Sequence, residues 1–222
     1  MKNIIIEHAK DLKTNSQLII KSKTEAFYIL IVDEELIAEK EIIVEAGASL
    51  KTYYLFLNNN SDLNLKHVVN REAKLNSNSL VLSDSLLKIK TEYDFVGADS
   101  FGQVSADAVL NGAANLKYEA ILRVKPDAQQ SDTRVDLRLY LNSSAAHGQL
   151  TPQLEVAAND VKAGHSSSTF KLSADDLFYL QTRGLSLNQI KTLQLKSLSN
   201  KFVQGLDNST AKLLLDLITT QI

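Results

Sequence analysis

Leu116-Lys117-Tyr118-Glu119-Ala120-Ile121-Leu122-Arg123-Val124 and Arg134-Val135-Asp136-Leu137-Arg138-Leu139-Tyr140-Leu141 decide the fold class. Both alternate apolar with mostly polar side chains, and a period of two puts successive side chains on opposite faces of a strand. Tyr, Ile, Val and Leu recur in both, as half-buried strands require. The same pattern runs upstream through Thr52–Leu57, Asn64–Val69 and Leu86–Lys90. Breaks are expected at Asn58-Asn59-Asn60, Asn76-Ser77-Asn78, Gly97-Ala98-Asp99-Ser100 and Asn111-Gly112, whose residues tolerate left-handed backbone or bond to their own chain. Many short strands with no helix between them fit a sandwich, a barrel or a β-helix. No exact repeat of 20–25 residues chooses among these. Asn at many turns is a weak pointer to stacked β-helix corners.

After about residue 172 the period changes. Ser173-Ala174-Asp175-Asp176 offers an N-cap with acids in the first turn. Leu177-Phe178-Tyr179-Leu180 continues to Arg183, and Gly184 suits the left-handed position after a helix. Ser186-Leu187-Asn188-Gln189 matches a capping box. Ile190, Leu193, Leu198, Phe202 and Leu206 are expected near one helical stripe. Asp207 is expected to cap a last helix carrying Ala211, Leu214, Leu215 and Ile218. The division is a β body over 1–171 and a helical domain over 172–222.

Composition excludes several functions. The 222 residues are 44% apolar, enough for a core without a disulfide or metal staple. There is no cysteine, which removes disulfides, thiol catalysis, zinc fingers and an all-Cys iron–sulfur site from this chain alone. Lys+Arg 24 against Asp+Glu 26 gives no electrostatic reason for nucleic-acid or anionic-membrane binding. The apolar run at Ile4-Ile5-Ile6 stops at Glu7, short of a secretory segment, and nothing approaches a membrane span, so the expected address is cytoplasmic. No dinucleotide glycine motif, phosphate loop, nucleophile elbow or zinc-protease motif occurs. His8, His67, His147 and His165 lie far apart. Asp175-Asp176 is accounted for by the helix start, and Asp33-Glu34-Glu35 reads as a solvated turn.

One stretch is dense in unusual pairings: Pro152-Gln153-Leu154-Glu155-Val156, then Asn159-Asp160-Val161-Lys162-Ala163-Gly164-His165, then Phe178-Tyr179-Leu180-Gln181-Thr182-Arg183-Gly184-Leu185-Ser186. It resembles the C-terminal signature of the SufB/SufD family, scaffold subunits of the SUF iron–sulfur cluster assembly machinery. Over about 35 residues nearly every fixed position is met, although the histidine is followed by Ser166-Ser167-Ser168 where many members carry Gly or Glu and then Ala. The resemblance implies a mainly β fold, a right-handed parallel β-helix followed by a small C-terminal α-helical domain. It implies a reduced N-terminal region, docking of a SufC-like ATPase on the helical domain, and pairing with a SufB-like subunit or as a homodimer. Phe178, Tyr179, Arg183 and Gly184 would be partner-binding residues, and no nucleic acid or membrane would take part. Lacking the cysteine of SufB-type members, the chain looks SufD-like. In that subgroup the histidine matching His165 is implicated at the interface site. His165 is therefore the candidate cofactor-binding and metal residue, shared with a partner chain. A hydrogen-bonded interface histidine without metal is the plainer alternative. The implied role is non-catalytic: the isolated chain would bind no cofactor stably, and an iron–sulfur cluster would be transient in the complex. The alternative is a structural β-solenoid interaction module that has lost cluster chemistry. A β-helical polysaccharide enzyme fits neither the expected address nor the C-terminal motif.

Overall fold

A computed structural model of the chain describes residues 3–57 and 60–220. The expected break at Asn58-Asn59-Asn60 lies largely outside the described residues. Thirteen described strands alternate between two parallel sheets, and three helices follow. One sheet is ordered β1 (Asn3–His8), β3 (Glu25–Val32), β5 (Ser49–Leu57), β7 (Lys74–Ser83), β9 (Phe101–Leu110), β11 (Asp132–Leu141) and β13 (Lys162–Lys171). The other holds β2 (Ser16–Ile20), β4 (Ile37–Val44), β6 (Ser61–Val69), β8 (Leu86–Phe95), β10 (Asn115–Val124) and β12 (His147–Val156). Every strand pairs in parallel with the strand two places along the chain, so each turn adds one rung to both sheets. This is a parallel β-helix, and it resolves the three-way choice left open by periodicity.

The rungs also explain why no repeat is visible. Asn3 faces Ala26, a step of 23 residues, whereas Phe101 faces Asp132, a step of 31. The conserved element is geometric. At the corner leading into the first sheet, Lys23, Gly47, Glu72, Asp99 and Gln130 all take left-handed backbone, φ between 56° and 68°. Small residues follow, among them Ala48, Ala73, Ser100 and Ser131, all buried. Gly47 N–H bonds Arg71 O, Glu72 N–H bonds Ala98 O and Asp99 N–H bonds Gln129 O, stacking the corners. Four of the five left-handed residues are not glycine. The ladder of backbone bonds stabilises a conformation that non-glycine residues otherwise avoid.

Inward rows form one core, from Tyr28 and Tyr54 through Tyr93 and Phe95 to Val135 and Leu139. The expected break at Asn76-Ser77-Asn78 does not occur: these residues lie inside β7. Ser77 and Asn78 find hydrogen-bond partners on neighbouring and facing strands, so no turn is needed. Ser77 accepts from Thr52 at 2.9 Å and meets Tyr93 at 3.1 Å, and Asn78 accepts from Ser105 at 3.0 Å. The outer face of the second sheet is polar and charge-paired, with Arg123 against Glu92, Asp94 and Glu155.

Helices α1 (Ala174–Thr182), α2 (Leu187–Phe202) and α3 (Asn208–Thr219) begin at Ser173, Ser186 and Asp207 as expected, the first two with full capping boxes. Gly184 closes α1 with φ +87°. Helices α2 and α3 fold back on the outer face of the first sheet. There Leu198, Phe202, Leu214 and Ile218 bury Phe27, Ile29, Ile31, Tyr53 and Leu55. Lys201 bonds Asp107 at 2.9 Å, and Tyr53 donates to Gln204 O at 2.8 Å. Arg138 Nε lies 3.0 Å from Asp107 as an ion pair without hydrogen-bond alignment. Two stripe assignments need correction. Leu193 is 53% exposed, off the buried row of Ile190, Leu198 and Phe202, and Leu206 lies beyond the end of α2.

Candidate assembly interface

The last rung, β12 and β13, has no strand beyond it. Each pairs on one side only, with β10 and β11 respectively. Which backbone groups are left over follows from the hydrogen bonds into the last rung and strand alternation. His147 N–H bonds Ala114 O and Ala157 N–H bonds Val124 O, so odd-numbered residues of β12 point to β10 and even-numbered ones to the open edge. Lys162 N–H bonds Ser131 O, so on β13 the odd-numbered residues face the open edge. Ala163, His165, Ser167, Thr169 and Lys171 therefore present an unbroken row of donors and acceptors. On β12 the row is interrupted at Pro152, which has no N–H to offer.

Side chains at this end complete the picture. His165 stands in register with Val135, a fully buried core residue. Its ring thus belongs to the inward row, but no rung covers it and the residue is exposed. Beside it the core runs out through Leu150, Leu154, Val161 and Ala163, which are only partly buried. On the outward row Ser166 donates to Asp136 at 2.5 Å and Phe170 stacks on Tyr140 at 4.9 Å. The structure thus leaves an apolar end with open backbone edges and the exposed His165 imidazole on its inward row, while His147, also exposed, opens β12 on the outward row. Neutral imidazole is a good iron ligand. Among the described residues no three His, Cys, Asp or Glu side chains gather to hold a metal. Any metal at His165 needs ligands from outside this chain.

The four other sequence-predicted site residues lie together on the tail, away from β13 in sequence. No residue of α1 is buried. Phe178 is 69% and Tyr179 57% exposed, so neither packs onto the β-helix. The Arg183 guanidinium sits 5.2 Å from the Tyr179 ring centroid.

Sequence reasoning missed His67. It is fully buried, stacked on Tyr93 at 4.6 Å. Its Nδ1 lies 3.1 Å from Glu92 O, a carbonyl that only accepts, so Nδ1 carries the proton. Nε2 then accepts from the Tyr54 hydroxyl at 2.6 Å. Burial lowers its pKa to about 4, with the Glu92 carbonyl opposing. Its place in the inward row, two residues from Leu65 and Val69, was the available signal.

Comparison with known proteins points the same way as the fold. The profile of the SufBD core domain, SUF system iron–sulfur cluster assembly, matches residues 36–197. The iron–sulfur cluster assembly protein SufD of Bacillus subtilis is 25% identical over 103 residues, 46% of this chain and 24% of that protein. SufD of Escherichia coli is 27% identical over 105 residues, 47% of this chain and 23% of that protein. An iron–sulfur cluster assembly SufBD family protein of Synechocystis is 30% identical over 136 residues, 53% of this chain and 30% of that protein. The matches thus span about a quarter to a third of these relatives. With the profile covering most of the chain, including strands β4–β13 and the first two helix starts, this protein belongs to the SufBD family of the SUF iron–sulfur cluster assembly system.

Proposed function

We propose that the chain is a non-catalytic, SufD-like scaffold of iron–sulfur cluster assembly. Its last rung pairs with a SufB-like chain or with a second copy, and its helical domain docks a SufC-like ATPase. Nucleotide-driven movement of the ATPase passes through the tail to the paired ends. The observation that carries this reading is the last rung itself: open backbone edges around an exposed His165 imidazole, at the end of an uncapped core. Edge pairing satisfies the open donors and covers the apolar end at once. His165 lends one nitrogen to the site where iron and sulfide, the substrates, meet. The thiolates or carboxylates that finish the coordination come from the partner.

Co-purification with the SufC-like and SufB-like proteins of the same genome tests the scaffold role, and loss of all such binding removes it. Within the assembled complex, His165→Ala should leave the subunits together while iron and acid-labile sulfide fall to a small fraction of wild type. The lack of any three-ligand group among the described residues supports a second reading, a structural module without cluster chemistry. On that reading the variant holds as much iron and sulfide as wild type.

A further inference from the structure

Where β11 and β13 run out beneath α1 and α2, the molecule keeps a groove of about 190 Å³. Its lining includes Leu141, Leu172, Leu177 and Leu187, with Lys171 and Lys191 beside them, and no carboxylate. Neither lysine has an ion-pair partner among the described residues. Leu187 is 42% exposed although it opens α2. The acids nearest in sequence, Asp175 and Asp176, open α1, and Asp176 is tied into the cap at Ser173. The volume falls below the range of small-molecule pockets, about 300–1,000 Å³, and suits a single large side chain.

We propose that this groove receives an apolar side chain of the ATPase partner, from a segment that flanks that anchor with carboxylates. The inference rests on the reading that the tail docks such an ATPase. An apolar anchor in a recess supplies most of the binding energy, while charges on the rim choose the partner and speed its arrival. The cationic rim selects an acidic frame, and the leucine floor selects an aliphatic or aromatic tip. Phe178 and Tyr179, exposed on the same helix as Leu177, extend the apolar contact beyond the groove.

The test is the affinity of the full chain for the SufC-like ATPase of its own genome, measured at low and high salt. The variants are wild type, Lys171→Glu with Lys191→Glu, Lys171→Arg with Lys191→Arg, and Leu187→Ser. Unchanged thermal melting of each shows that folding is kept. The charge reversal should weaken binding about tenfold at low salt, and high salt should close that gap. The arginine pair should bind as wild type does. Leu187→Ser should weaken binding equally at both salt levels. Wild-type affinity in every variant overturns the groove while leaving the tail docked elsewhere. No binding by wild type overturns both the groove and the docking of the ATPase. Loss of self-association instead of ATPase binding gives the groove to a second copy and also overturns the proposal.

Discussion

His67 titrates where nothing solvates its charge. Its folded pKa of about 4 lies below the ordinary 6.5 because burial penalises the imidazolium. A depressed histidine contributes stability that is fully present above about pH 6.5 and is lost as pH falls towards 4. The gap between the two values corresponds to ~3 kcal/mol, of which ~2 kcal/mol is spent between pH 7 and 5. Urea unfolding at those two pH values should show this loss, and His67→Gln should lose most of the pH dependence in that window. Equal stability of wild type at pH 7 and 5 sinks the assignment. Packing at a second residue is as demanding. Gly102 lies inward on β9, and an added Cβ would meet Phe95 Cζ at 2.1 Å. Phe95 is fully buried and has nowhere to retreat. Gly102→Ala should therefore cost ~1–3 kcal/mol through overpacking, read as a lower denaturation midpoint with an unchanged slope. Neither contact is visible from local sequence, because Phe95 and Gly102 face each other only after the corner at Asp99 has turned.

Helices were legible because their signals are local. Ser173, Ser186 and Asp207 cap within three residues, and Gly184 ends α1 by its own backbone. Where the tail docks is a long-range matter, yet a sign of it exists. Ala26-Phe27-Tyr28-Ile29-Leu30-Ile31-Val32 is apolar on both faces, as is Tyr53–Leu57. A strand buried on both faces needs a second layer over it, and α2 and α3 are that layer. Leu193 was misplaced because one apolar residue off the four-residue spacing of Ile190, Leu198 and Phe202 still falls near the stripe on paper. Docking hinges on Phe202, 6% exposed and edge-on to Tyr53 at 5.7 Å. Phe202→Ala should cost ~3 kcal/mol of tail docking. Hydrogen exchange should then quicken in α2 and α3 while β8 and β10 keep their protection. Quickening throughout the β-helix would mean that the layer and the solenoid unfold as one unit.

At the scale of the whole molecule, the β-helix was legible only through resemblance, since rungs of 23 to 32 residues erase the repeat. What topology adds is the direction of each backbone group at the open end, which no pattern in the sequence contains. That direction makes an assembly prediction with an internal control. On β13, Ser167 N–H points to the open edge and Ser166 N–H points into the ladder with β11. Proline removes an N–H, so its effect depends on which way the lost donor faced. Ser167→Pro leaves every bond to β11 in place and should keep the protomer folded, while pairing at the last rung weakens or disappears. Ser166→Pro takes a bond from the ladder and should lower stability of the protomer itself. Light scattering or ultracentrifugation of each variant, alone and with a SufB-like partner, reads assembly, and thermal melting reads the fold. If Ser167→Pro pairs as wild type does, β13 is not the joining strand. The exposed His165 then sits at a free surface and lends its imidazole to no shared site.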